Sequence, residues 1–168
     1  KKTEEMHKQR GADMRNFSFF AGSGFLDLGF EQAGFEIVFV NEYNPEFLRA
    51  YRYARERMQK QLSPPRFGYH QGDINDFLTV DSMRQRMKET IQICREEGEL
   101  VGFIGGPPCP DFSIAGLQKL GGKAHGFNRG SMSKRGREGN LGRLSQSYVD
   151  LIISMHPDFF LFENVKGL

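Results

Sequence analysis

Two glycines, two prolines and a thiol follow one another at Gly105-Gly106-Pro107-Pro108-Cys109, directly after the apolar run Leu100-Val101-Gly102-Phe103-Ile104. Each proline fixes its own φ and biases the residue before it towards extended backbone, so the turn presenting Cys109 is stiff. A thiol held this way has few conformations to lose on attack, which suits a nucleophile; a free cysteine is otherwise a small buried hydrophobe. A second apolar run, Phe159-Phe160-Leu161-Phe162, ends in Glu163-Asn164. Desolvation by that run would raise a carboxyl pKa and fit it for acid work, whereas a structural carboxylate would bond nearby backbone. The glycine turn Phe20-Ala21-Gly22-Ser23-Gly24 permits close approach of a ligand to backbone at a helix start. Glu42, roughly 20 residues after that turn, suits the hydroxyls of a ribose, with a solvated surface carboxylate as the plainer alternative. Asp73, in Gly72-Asp73-Ile74, can accept from an adenine amino group or else cap a turn.

The elements that must position these residues alternate in type. Strands are predicted at Phe17–Ala21, Phe35–Val40, Phe67–His70, Leu100–Ile104 and Phe159–Phe162. Helices are predicted at Ser23–Ala33, stopped by Gly34, and at Asn44–Gln61, with Asn44 as N-cap and Pro45 in the first turn. Two more are predicted from an Asp81 cap to about Glu97, and at Leu144–Met155 before Pro157. This alternation argues for an α/β fold with a parallel sheet and helices on both faces. Ligands of such sheets bind beyond the carboxyl ends of the strands, where every residue singled out above falls.

The length of 168 residues suits one domain, with Lys1 to Asn16 (1–16) reading as a flexible leader. No apolar run is long enough to cross a membrane, and the polar first residues do not read as a secretory signal. The two cysteines, Cys94 and Cys109, are too few for a disulfide scaffold and lack metal-site spacing, which fits a reducing, cytoplasmic setting with no metal. A net charge of +2 identifies no partner, but its distribution is uneven. Between Gly116 and Arg143 lie Lys119, Lys123, Arg129, Lys134, Arg135, Arg137 and Arg143, against the one acid Glu138. A mobile basic loop over 116–143, beside Cys109, suits phosphate contacts; a solvated loop with no ligand is the plainer alternative.

Taken in order, the five strand ends carry a glycine turn, an acid, an acid, a cysteine and a glutamate. With Phe112-Ser113-Ile114-Ala115-Gly116 after the thiol and Glu163-Asn164-Val165 after the last strand, the chain resembles the DNA (cytosine-5) methyltransferases from about Asn16 to Leu168. The resemblance implies a Rossmann-like S-adenosylmethionine-dependent methyltransferase fold over 17–168. It implies S-adenosyl-L-methionine as cofactor, lined by Phe20, Gly22, Gly24, Pro108 and Leu144. Glu42 would hold the ribose, Asp73 the adenine amino group, and Tyr43 or Ile74 would flank the ring. Cys109 would add to C6 of cytosine, activating C5 for the methyl group, while Glu163 meets N3. The target would be a cytosine flipped out of double-stranded DNA. Ser113, Asn164 and the basic residues Lys119, Lys123, Arg129, Lys134, Arg135 and Arg137 would contact the nucleic acid. A bacterial restriction–modification setting follows by the same analogy.

Departures qualify the match. Members usually carry Gln after the nucleophile, where this chain has Pro110, and Phe25 stands where a second glycine is common. The later family regions are expected to be absent: further strands, the arginine that helps hold the flipped base, the target-recognition region and the helix closing the cofactor pocket. A second chain or a missing C-terminal region is expected to complete the enzyme, and the 168 residues alone are expected not to methylate DNA detectably. Three other readings remain: an RNA (tRNA) cytosine-5 methyltransferase, a non-catalytic methyltransferase-like regulator, and a dinucleotide-dependent oxidoreductase. The last leaves Pro-Pro-Cys and Glu-Asn-Val unexplained.

Overall fold

The structure, a computed structural model, describes residues 13–58, 64–108 and 142–164. Five strands form one sheet: β1 (Met14–Phe19), β2 (Glu36–Glu42), β3 (Tyr69–Gln71), β4 (Leu100–Gly105) and β5 (Phe159–Phe162). Their order is β3-β2-β1-β4-β5, and every pairing is parallel. The helices are α1 (Phe25–Gln32), α2 (Pro45–Tyr53), α3 (Asp76–Thr79), α4 (Asp81–Glu96) and α5 (Gly142–Met155), with α2 running on into a wider π turn at Ala54–Met58. The chain builds outward from β1 through β2 to β3, then returns to the other side of β1 for β4 and β5. The strand order therefore reverses beside β1, and a crevice opens there at the carboxyl ends.

The apolar strand residues divide between two cores. Phe17, Phe19, Val101 and Phe103 pack with Phe77 of α3, Met87, Ile91 and Cys94 of α4, and Tyr148, Leu151 and Met155 of α5. Ile37, Val40 and Ile104 pack on the opposite side with Leu26 and Phe30 of α1 and Leu48 and Tyr51 of α2. The first core is aromatic at its centre, with the Phe19 and Phe103 rings 4.9 Å apart and Phe17 and Phe103 5.7 Å apart. Each such ring taken from water contributes about 2–3 kcal/mol. Both faces of the sheet are covered, which is why its strands read as continuous apolar runs.

The expected elements are present with shifted ends. β1 starts three residues early and stops at Phe19, because Phe20 turns to φ 54, outside strand geometry. β2 runs on to Glu42, so that carboxylate ends the strand instead of following it. Asn44 caps α2 as expected: its Oδ1 accepts from the Glu46 N–H at 2.9 Å and the Phe47 N–H at 3.4 Å. α2 proper ends at Tyr53, short of Gln61, and residues 59–61 lie outside the described set. Asp81 does not cap α4. Val80 holds that position, and Asp81 pairs with Arg84 from within the first turn. The short helix α3 was not foreseen, since four residues show no period. Residues 1–12 of the expected leader and 109–141 of the expected basic loop lie outside the described residues.

Candidate functional site

A cleft of about 730 Å³ lies across the carboxyl ends of the sheet. Its wall at β2 and β3 includes Glu42, Tyr43, Asp73 and Ile74, and its wall at β4 and α5 includes Gly106, Pro108, Arg143 and Leu144, with Phe20 and Gly22 also lining it. Eight of the nine residues expected to hold a cofactor thus line one cavity, although they span 125 positions from Phe20 to Leu144.

Glu42 is 8% exposed and built into the backbone around it. Its Oε2 accepts from the Gly22 N–H at 2.8 Å and its Oε1 from the Asn44 N–H at 2.7 Å. One carboxylate therefore ties the β1–α1 turn to the start of α2. Each of its oxygens keeps a lone pair for a further donor, such as a sugar hydroxyl. Asn41, beside it in β2, is 2% exposed and was not singled out as a site residue in the sequence. Its amide donates to the Gly72 carbonyl at 3.0 Å and the His70 carbonyl at 3.3 Å, fastening the end of β2 to the loop after β3. A polar residue closing a buried strand was the signal that could have found it.

Asp73 sits in a turn of its own making. Its Oδ1 accepts from the Asn75 N–H at 2.9 Å and from Asn75 Nδ2 at 2.8 Å. Ile74 is 2% exposed and anchors this loop in the core while its surface lines the cleft. Tyr43 is 72% exposed at the cleft, and Phe47, one helical turn into α2, is half exposed there too. Phe47 is a second aromatic at the site that the sequence did not single out. Phe20 holds positive φ and sets its ring edge-on to Tyr148, with the centroids 6.0 Å apart. A phenylalanine in this conformation carries backbone strain of about 1–3 kcal/mol, of the kind that clusters at binding sites.

Gly24 is the exception among the nine. It does not line the cleft. It takes φ 86 ahead of α1, and a Cβ placed on it would come within 2.7 Å of the Tyr51 ring. Glycine is needed there for a turn and a packing contact inside the fold, not for a ligand. Tyr51 is itself fixed: its hydroxyl donates to Asp27 Oδ2 at 2.7 Å, and Ser18 Oγ donates to Asp27 Oδ1 at 2.7 Å. Burial pushes the Asp27 carboxyl above the ordinary range, against those two hydrogen bonds.

The ends of β4 and β5 lie side by side. The Glu163 N–H donates to the Gly105 carbonyl at 2.9 Å, and the Tyr148 hydroxyl donates to the Leu161 carbonyl at 3.1 Å. Glu163 Oε2 occupies the space over Gly106, where an added Cβ would meet it at 2.7 Å. The last residues before the thiol and the carboxyl of β5 are therefore brought together. Cys109 itself lies outside the described residues, as do Ser113, Lys119, Lys123, Arg129, Lys134, Arg135 and Arg137. Glu163 differs from expectation in its surroundings: the strand ends before it as expected, but the apolar run does not bury it, and the residue is exposed. Asn164, next to it, is half-buried. Arg143, counted with the basic loop in the sequence, lines the cleft instead. Among the described residues no cluster of His, Cys, Asp or Glu has the geometry to hold a metal ion, and no helix is long and apolar enough to cross a membrane.

Comparison with known proteins sets this geometry in context. A family model described as C-5 cytosine-specific DNA methylase matches residues 14–168. The chain is 50% identical over 152 residues to the type II methyltransferase M.NmeDI of Neisseria meningitidis serogroup C, covering 90% of this chain and 32% of that protein. It is 32% identical over 155 residues to the type II methyltransferase M.FnuDI of Fusobacterium nucleatum, covering 92% of this chain and 33% of that protein. A crystal structure from Escherichia coli, described as a prophage-encoded DNA modification methyltransferase, matches with a TM-score of 0.53 at 24% identity. That match covers 92% of this chain and 32% of the other, and it supports the fold. The chain spans about a third of the length of the curated relatives it matches.

Proposed function

The chain belongs to the family of C-5 cytosine-specific DNA methylases, and from that premise we propose that it forms the cofactor site and reacting groups for methyl transfer from S-adenosyl-L-methionine to C5 of cytosine in DNA. The donor set suits the cofactor. The cleft volume falls in the range of small-molecule sites, and two carboxylates stand where hydroxyls and an amino group need acceptors. Acids also suit a cation, and the bound cofactor supplies an electrophilic methyl group on a positively charged sulfur.

In this reading Glu42 accepts the two ribose hydroxyls, Asp73 accepts from the adenine amino group, and Tyr43 and Ile74 flank the ring. Phe20, Gly22, Pro108 and Leu144 complete the seat. The Cys109 thiolate forms a bond to C6 of a cytosine flipped from the duplex, and Glu163 meets N3 and holds the charge that develops there. C5, made electron-rich by that addition, would take the methyl group that S-adenosyl-L-methionine, held by Glu42 and Asp73, would supply. A proton then leaves C5 to a base not assigned to any residue, and the returning electron pair expels the Cys109 thiolate. Ser113, Asn164 and the basic residues of 116–143 contact DNA. Because the chain spans a third of its relatives, reading of the target sequence is assigned to polypeptide beyond these residues, in the same chain or a second one.

The single observation that carries this reading is the meeting of Gly106 and Glu163 at one end of a cleft whose other wall holds Glu42 and Asp73. Calorimetry with S-adenosylhomocysteine and with NAD tests it. The full chain is expected to bind the first and not the second, and Glu42→Ala is expected to abolish binding. Preference for NAD would overturn the proposal.

A further inference from the structure

Asp73, in the turn after β3, is held by Asn75 and, through Asn75, by Ser147 of α5. We infer that Asn75 and Ser147 form a brace that aims Asp73 and thereby makes the cleft selective for a 6-amino purine. The inference rests on the role given to Asp73 above.

The Asn75 backbone N–H and Nδ2 both donate to Asp73 Oδ1, at 2.9 and 2.8 Å. That oxygen is filled, and Oδ2 is the one without a partner among the described residues. The Asn75 backbone is pinned in turn, since its carbonyl accepts from the Thr79 N–H at 2.9 Å and Thr79 Oγ1 at 2.8 Å. A side-chain amide could face either way, and the Asp73 carboxylate on one side and Ser147 of α5 on the other favour the same choice. Ser147 Oγ lies 2.8 Å from Asn75 Oδ1, across 72 residues of sequence. With the hydroxyl donating to Oδ1, the amide must turn its NH2 towards Asp73. Reversed, it would set its oxygen against a carboxylate oxygen with no proton between them. The same hydroxyl lies 2.9 Å from the Arg143 carbonyl, so its single proton is shared between two acceptors.

Ser147 is 8% exposed, so water competes little for this hydroxyl. It stands one turn after Arg143 and Leu144, which line the other wall of the cleft. The brace therefore joins the wall proposed for adenine to the helix that closes the opposite side. A carboxylate oxygen held in this way accepts from the 6-amino group of adenine. It meets the 6-carbonyl of hypoxanthine acceptor against acceptor, which is a strong basis for rejection.

The test compares S-adenosylhomocysteine with S-inosylhomocysteine by calorimetry on the full chain. The unaltered chain is expected to prefer the amino ligand by tenfold or more. Ser147→Ala and Asn75→Ala are expected to weaken S-adenosylhomocysteine about five- to tenfold while leaving S-inosylhomocysteine within about twofold, so that discrimination collapses. Ser147→Thr, which keeps the hydroxyl, is expected to preserve it. Asn75→Asp, nearly isosteric, sets a second carboxylate against the first and is expected to cost the most; it carries the test if Ser147→Ala lowers the unfolding temperature too far. Parallel loss of both ligands, or retained discrimination in the variants, would overturn the brace while leaving the role of Asp73 intact. Equal affinity of the unaltered chain for the two ligands would overturn the role of Asp73 and the brace with it.

Discussion

A carboxylate at position 42 does work that a neutral isostere cannot. Both of its oxygens face backbone N–H groups, so Glu42→Gln would set an NH2 against either Gly22 or Asn44. One buried donor then loses its acceptor, which costs about 1–3 kcal/mol. The expected result is a ten- to hundredfold loss of affinity for S-adenosylhomocysteine by calorimetry, with a lowered unfolding temperature. The two cysteines should also behave differently. Cys94 of α4 is fully buried in the core, and burial pushes its thiol up to about 11 from an ordinary 9.0. Between pH 7 and 9 it stays protonated and shielded. Iodoacetamide at pH 8 is therefore expected to modify Cys94 only in denaturant, as peptide mass mapping would show. The sign for stability follows: a thiol with a raised folded pKa contributes stability below about pH 9, and that contribution is lost as pH rises through about 11.

Among the connecting elements, the two glycine turns carry opposite expectations. At Gly24 both φ 86 and the Tyr51 ring oppose a side chain. Gly24→Ala is expected to destabilise the fold by about 2 kcal/mol, seen as a fall of roughly 5 °C in Tm. Gly106 is not among the residues with positive φ, and its added Cβ would come too close only to the end of a flexible glutamate, with the Cβ of Glu163 at an ordinary 3.6 Å. Gly106→Ala is therefore expected to leave Tm within about 2 °C, because displacing an exposed side chain costs little. It should instead displace Glu163 and impair methyl transfer by the enzyme completed with the polypeptide beyond these residues, measured as incorporation of labelled methyl groups into DNA. If Gly106→Ala lowered Tm as much as Gly24→Ala, its proposed local role would be wrong. Tyr148 supports this region from below. It is fully buried, packed on Phe19, Phe20 and Phe162, and bonded to the Leu161 carbonyl just before Glu163.

At the scale of the molecule, β5 stands at the margin of the sheet, with no strand on its outer side among the described residues. Phe160 on β5 is 59% exposed, and Ile153 on α5 is 62% exposed. An open strand edge with exposed apolar side chains invites association. The chain is expected to self-associate with rising concentration and Phe160→Lys to reduce this, both read by sedimentation velocity. The sheet and its doubly covered faces were legible in the sequence because buried parallel strands leave unbroken apolar runs, as at Val101–Ile104; Phe159–Phe162 reads alike although it is only partly covered. The cleft was legible because its polar residues interrupt the pattern at the strand ends. What the sequence hid was set by distance and direction. Asn75 and Ser147 meet across 72 positions, and no local pattern links them. Gly24 resembled a ligand contact because a glycine that admits a ligand and one that admits a tyrosine ring read alike. The strand Phe159–Phe162 was read with its observed bounds, but only the fold revealed that the run leaves Glu163 exposed.

Pro108 and Arg143 stand at one address in the fold although 35 positions separate them, since both line the same cleft. The first follows β4 and the second lies in the first turn of α5, so each is fixed by a packed element. A change in how α5 packs against the sheet is therefore expected to alter the width of the cleft even with every lining residue unchanged.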